Sequence, residues 1–190
     1  MRKSKQIYKI QDLVDKFGLT TRTLRFWEEK ELIKPLLRVP GKRRVYGEDV
    51  IKRIKDIQSY KNRGLSLDDI KVQVEKKEKR KKVSKDAVRI IVDSSAGIEP
   101  KNMEKYQIDL LPSYILVDEK KYVDGVNISE KDIDDLSWTE LTTAAPTVED
   151  FVYTYSEMVN EGAEKIISFH PNSNYGDSLQ NAREAAKKIK

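Results

Sequence analysis

"TLRFWEEKELIKP" (residues 23–35) sets an arginine beside two aromatic side chains, follows them with mixed charge and closes on a proline. The spacing is helical. Leu24 and Trp27 lie three apart and point to a core, while Arg22, Arg25, Phe26 and Glu29 share the other side. Just upstream, Ile10, Leu13, Val14 and Phe17 recur at i, i+3, i+4 and i+7, the stripe of a short amphipathic helix. Gly18 supplies the positive φ that ends that helix, Leu19 packs into the bend, and Thr20 is placed to cap the next one. Two short helices with a glycine between them form a helix-turn-helix pattern.

Downstream, "LLRVPGKRRVY" (36–46) centres on Pro40-Gly41, where proline fixes φ and glycine accepts the positive φ of a type II turn. Extended flanks then make a hairpin loaded with Lys42, Arg43 and Arg44. A third helix is expected over 48–63, with Val50, Ile54, Ile57 and Lys61 on one side and Gly64 as its stop. Ser66 with Asp69 reads as a capping box opening a fourth, with Asp where Glu is usual. These parts make a mainly α winged helix-turn-helix.

Charge divides the chain in the same place. Residues 1–85 carry 26 basic against 12 acidic side chains, and residues 86–190 carry 11 against 20. A basic half of this size implies a polyanionic partner, and a solvated arginine face is the weaker reading beside so positive a hairpin. With no cysteine, disulfides and thiolate metal sites are excluded. MRKSKQIYKI has no apolar h-region, and no apolar run approaches the roughly 20 residues of a membrane span. A cytoplasmic protein is therefore expected.

The opening stretch resembles the "TLRYYE…GLL.P" run of MerR-type transcription regulators. "RRVYGEDV" resembles their wing, and "IKDIQSYKNRGLSLDDIK" their next two helices. The likeness covers residues 7–75, and the first domain is set at 1–75. It implies that Thr21, Arg22, Arg25 and Phe26 lie on the recognition helix, and that Lys42, Arg43, Arg44 and Tyr46 on the wing meet double-stranded promoter DNA. It further implies a homodimer that affects RNA polymerase indirectly, by distorting the DNA between promoter elements. Trp27, by contrast, is expected in the core, because its ring is large and mostly apolar.

MerR-type proteins pair through a long helix after the wing domain. Here Leu67, Ile70 and Val74 give only a brief apolar row, and "EKKEKRKKVSKD" (75–86) holds one apolar residue, Val83. A coiled coil needs about three or four apolar heptads. Residues 76–86 therefore read as a solvated, charged linker helix, and residues 87–190 are expected to contribute to dimerisation.

The second half reads as α/β. "VRIIVD" (88–93) and "EKIISFH" (164–170) are short β-branched runs of buried strands. "LLPSYILVD" and "KKYVDG" make a hairpin, and helices are expected near 100–106, 130–137, 148–161 and 178–190, the third capped by Thr147 with Asp150. Strands alternating with helices imply a mainly parallel sheet, with ligands bound at the carboxyl ends of its strands. Asp93, Ser94, Ser95 and the loop 171–177 stand at those ends.

"VDSSAGI", "LLPSYILVDEKKYVDGVNIS", "TAAPTVEDF" and "IISFHPNSNYGDSLQNA" resemble, in that order, the motifs of the DegV family of bacterial fatty-acid-binding proteins. The resemblance implies a fatty acid held between two lobes, its carboxylate secured by hydroxyls, and no other cofactor. The family's second lobe is expected to be absent from this chain, read as a fragment of a longer regulator or as one completed by another chain. The threonine of the family's TSQP motif falls on Thr143, with Ala144 and Ala145 after it, and the family's SGT falls on Gly176, Asp177 and Ser178. An ionised Asp177 opposes a nearby carboxylate. The candidate ligand residues are thus Ser94, Ser95, Thr143, Ser173 and Ser178. His170, the single histidine, reads as a satisfied structural residue and not as a metal ligand. No nucleophile–base pair can be specified, so no enzymatic activity is expected. The leading expectation is a regulator with an acyl sensor. The alternatives are a fatty-acid carrier serving a kinase, and a DNA-binding scaffold with a vestigial sensor.

Overall fold

The computed structural model describes residues 7–36, 44–80, 88–135 and 140–189. The reader begins with β1 (Tyr8–Lys9), α1 (Ile10–Phe17) and α2 (Thr21–Glu29). As the pattern requires, Gly18 is left-handed at φ 62°, and Thr20 Oγ1 accepts the Thr23 N–H at 3.0 Å. After β2 (Val45–Tyr46) come α3 (Glu48–Asn62) and α4 (Leu67–Arg80). The antiparallel pairing of β1 with β2 closes the reader, a contact too short for any alternation to announce. Ser66 and Asp69 form the expected reciprocal cap. Leu13, Leu24, Trp27, Ile54, Ile57 and Ile70 fill the core. The tip of the wing, with its Pro40-Gly41 turn, lies outside the described residues.

The second half contains β3 (Val88–Asp93), α5 (Pro100–Tyr106), β4 (Ile108–Leu111), β5 (Tyr114–Val117), β6 (Lys120–Val123), α6 (Glu130–Asp135), β7 (Leu141–Ala144), α7 (Val148–Asn160), β8 (Lys165–Phe169) and α8 (Ser178–Lys188). The parallel sheet has the order β4-β3-β8. Its Ile91 packs with Phe151, Tyr155 and Met158 of α7 and with Ala182 and Ala185 of α8. Pairing places Ile90 with Ile167 and Val92 with Phe169 on the opposite face. That face is open at its β8 side, where Ile167 is 45% and Phe169 57% exposed.

A second sheet, β6-β5-β7, is antiparallel throughout. The segment 110–118, expected as one extended run, is split at Pro112-Ser113, so that β4 and β5 enter different sheets. This second sheet has two distinct faces. Ile115, Val117 and Leu141 pack with Ile128 and Ile133 on one. Tyr114 and Val123, on the other, join the core of the reader.

The halves are also joined by charge. Lys77 of α4 places Nζ 2.5 Å from Asp56 on α3 and 3.1 Å from Glu157 on α7, and the Tyr153 hydroxyl donates to the same Asp56. Burial works against the Lys77 charge, yet Asp56 and Glu157 hold its pKa above the ordinary lysine value. The lysine-rich stretch therefore differs from a solvated linker at its start: α4 runs to Arg80, and Lys77 docks it on the second half. Residues 81–87, including Val83, lie outside the described residues.

Candidate nucleic-acid interface and acyl site

On α2 the structure presents Arg22, Arg25, Phe26, Glu29 and Lys30 to solvent and leaves Thr21 half-buried, while Leu24 and Trp27 turn inward. The cation over the Phe26 ring is Lys30, at 5.9 Å from the centroid. The i, i+4 spacing of Phe26 and Lys30 carried that signal, and the basic residue beside Phe26 in sequence drew attention away from it. An exposed aromatic ring among cations suits contact with a nucleic-acid backbone.

The wing residues divide. Tyr46 is fully buried, so the expected contact of Tyr46 with DNA is corrected: its ring belongs to the core. Its hydroxyl donates to Glu28 Oε1 at 2.6 Å, and Arg44 pairs with the other oxygen of the same carboxylate. Burial, with Glu28 beside it, pushes the Tyr46 pKa up. Arg44 therefore ties the segment before β2 to α2, and it stands half-exposed beside that helix. Glu28 is the residue that sequence reasoning missed, hidden in a run of charge that looks solvated. Lys42 and Arg43 lie outside the described residues.

At the carboxyl ends of β3 and β8 a chain of hydrogen bonds runs inward. Tyr155 donates to Ser168 Oγ at 2.8 Å, and Ser168 Oγ meets His170 Nε2 at 2.7 Å. His170 Nδ1 meets Ser178 Oγ at 3.0 Å, and Ser178 donates to Asp93 Oδ2 at 2.6 Å. One assignment of protons satisfies every member: His170 donates from Nδ1 to Ser178 and accepts at Nε2 from Ser168. Asp93 also accepts the Ser95 N–H and hydroxyl. Burial opposes its charge, but the neighbouring His170 ring and the hydrogen bonds from Ser178 and Ser95 hold its pKa below the usual carboxylate value.

The Asp93 carboxylate and the His170 ring are joined through the Ser178 hydroxyl. A catalytic histidine takes the serine proton on one nitrogen while the acid holds the other. Here Asp93 stands 3.6 Å from Nδ1 with the Ser178 hydroxyl at 3.0 Å between them, and the serine on the Nε2 side, Ser168, accepts from Tyr155.

The candidate ligand residues are drawn to this end by short links. Ser94 Oγ accepts the Ser113 N–H at 3.1 Å, Tyr114 pairs with Ala144 next to Thr143, and Asn181 donates to Pro146 O at 2.9 Å. Thr143 and Ser173 are exposed. The Ser95 and Ser178 hydroxyls are instead spent on Asp93. Asp177 is exposed at the start of α8. A separate cleft of about 370 Å³ between α3, α7 and α8, lined by Lys55, Tyr153, Glu157 and Lys188 among others, contains none of these residues. Among the described residues no group of three His, Cys, Asp or Glu side chains is placed to hold a metal, and no helix is long and apolar enough to cross a membrane.

Comparison with known proteins agrees with this architecture. The model of the uncharacterised-protein DegV family matches residues 87–190. The chain belongs to the DegV family. Its DegV half is preceded, at residues 8–77, by a match to the MerR helix-turn-helix family of regulatory proteins. A DegV domain-containing protein of Clostridium perfringens is 35% identical over 100 residues, covering 51% of this chain and 36% of the relative. One from Clostridium acetobutylicum is 30% identical over 107 residues, covering 54% and 38%. The chain thus spans little more than a third of the length of these DegV relatives. Among solved structures, DegV of Bacillus subtilis, described as a fatty acid binding protein, superposes with a TM-score of 0.50 at 21% identity, covering 54% of this chain and 37% of that one. That likeness speaks for the DegV fold.

Proposed function

We propose that the chain is a promoter-binding regulator, acting as a dimer in the cytoplasm, whose DegV half binds a fatty acid or related acyl ligand. The observation that carries the reading is the exposed Arg22–Arg25–Phe26–Lys30 face on the second helix of a reader matched by the MerR model. The excess of basic side chains in residues 1–85 supports a duplex as its partner. Exposed Thr143 and Ser173, with the half-buried Ser94, offer hydroxyls to an acyl head, and the open sheet face beside Ile167 and Phe169 supports pairing with a second copy. Effects on polymerase follow through the DNA, since bending or untwisting a promoter changes how its elements align.

Two measurements test the reading. Selection from random duplexes should return a sequence bound far more tightly than bulk DNA, and mass spectrometry of the extracted native protein should find a stoichiometric fatty acid. Weak, sequence-independent binding would overturn the regulator. One observation favours a second reading, a DNA-binding scaffold with a vestigial sensor: Ser95 and Ser178 have their hydroxyls committed to Asp93. Specific DNA binding with no extracted acyl ligand, and none taken up on titration, selects it.

A further inference from the structure

Arg63 closes α3 in the reader, yet its side chain is buried in the DegV half. Nη2 donates to Pro112 O at 3.3 Å, and Nε stands 3.6 Å from Asp150 Oδ1. Each contact backs a segment that carries a candidate ligand hydroxyl. Pro112 precedes Ser113, whose N–H is held by Ser94 Oγ. Asp150 Oδ2 accepts the Thr147 N–H at 3.0 Å, the Thr147 hydroxyl at 2.9 Å and the Tyr114 hydroxyl at 2.5 Å, fixing the end of the stretch that leaves Thr143. Burial, reinforced by Asp150, pushes the Tyr114 pKa up and keeps it a donor. One guanidinium from the reader thus contacts a residue adjoining the Ser94-linked segment and a residue adjoining the segment that carries Thr143.

The contact is also incomplete. Among the described residues Arg63 Nε is buried with no hydrogen-bond partner, although Arg63 is only 8% and Asp150 7% exposed. A buried N–H left unpaired raises the free energy of the arrangement that contains it. At 3.6 Å the pair is longer than an ordinary N–H···O bond of about 2.7–3.2 Å, so a shift of a few tenths of an ångström at the start of α7 completes it. Two turns along α7, Tyr153 and Glu157 are already bound to Asp56 and Lys77. The helix is therefore joined to the reader at both places.

We infer that Arg63 is the coupling residue between the two halves: acyl occupancy at the Thr143 and Ser94 segments moves the start of α7, closes or opens the Arg63–Asp150 bond, and so biases the position of α3 in the reader. The inference rests on the acyl-binding reading above. Energetically it asks only that the ligand bind one arrangement better than the other.

The test uses the full chain, palmitate as the probe, and hydrogen exchange read by mass spectrometry on peptides covering α2 and α3. In the parent, palmitate should change exchange at the end of α3 by about fivefold or more, the lower range of ordinary coupling. Arg63→Gln should bind palmitate within about twofold of the parent but lose that response. Arg63→Lys, which keeps the charge but cannot serve Pro112 and Asp150 as a fork, should fall between them. Lost response with retained affinity is a result that general loosening of the fold does not produce. Should Arg63→Gln fail to fold, Arg63→Lys decides by the same criterion. An undiminished response in the folded variant overturns the inference while leaving acyl binding intact, and so does loss of palmitate affinity together with the response. A parent that binds no palmitate overturns the acyl reading and the coupling with it.

Discussion

Arg22, Arg25 and Arg44 carry the same charge in different surroundings, and their substitutions should separate accordingly. Arg22 and Arg25 are exposed on α2, so Arg22→Ala and Arg25→Ala should each weaken DNA binding, lower its salt slope by about one and leave the melting temperature unchanged. Arg44→Ala should weaken binding and also lower the melting temperature, because it removes the cation paired with the buried Glu28. A filter-binding salt series beside thermal melts reads both. Trp27 is 1% exposed among Leu24, Leu32 and Ile54, and Trp27→Ala should cost about 3–5 kcal/mol in urea unfolding. Trp27 was legible from its spacing; Tyr46 was not, because a strand of two residues shows no alternation. Asp93 supplies a pH dependence. Its folded pKa lies below the ordinary value, so its stabilisation is present above pH about 4 and disappears as pH falls through the lower folded pKa. Asp93→Asn should flatten the acid limb of a stability–pH curve in that window; an unaltered limb would assign the acid sensitivity to other carboxylates.

Among the elements, helices bounded by caps were read within a few residues of their observed ends, since Thr20, Ser66 and Thr147 each do the local work that their chemistry announces. Short strands were less legible. The motif around Thr143 gave no sign that Leu141–Ala144 is a strand, because its β identity comes from pairing with β5 and not from its own four side chains. That pairing fixes what can be tested. Thr143→Ala removes an exposed hydroxyl from an edge strand and should lower affinity for a fluorescent fatty acid with little change in stability. Asp177→Gly removes an exposed negative charge at the start of α8 and should raise it, since like charges repel. Tight parental binding indifferent to both would move the pocket elsewhere. Thr147→Ala differs again, for loss of the α7 cap should cost about 1 kcal/mol and disturb Asp150 as well.

At the scale of the whole molecule, the division of charge was plain in the chain, but the joining of its halves was not. Contacts between residues far apart in sequence, such as Asp56 with Tyr153, leave no local period to read. Because Tyr114 and Val123 sit in the same cluster as Trp27 and Ile54, the described parts should melt together. Calorimetry of the full chain should give equal calorimetric and van't Hoff enthalpies, whereas two separate transitions would mean the shared cluster is weak. Sedimentation of the full chain beside its Ile167→Glu and Phe169→Glu variants tests the dimer: pairing should be lost when the exposed side of β8 is charged. The shared cluster has a consequence for inheritance. Regulators commonly diversify when recombination joins an old reader to a new sensor across a linker, and each part folds as it did before. A reader whose interior is finished by Tyr114 and Val123 is not exchangeable in that way, because a crossover near residues 81–87 would strand an apolar face on both offspring. In descendants of this chain the two halves must travel together.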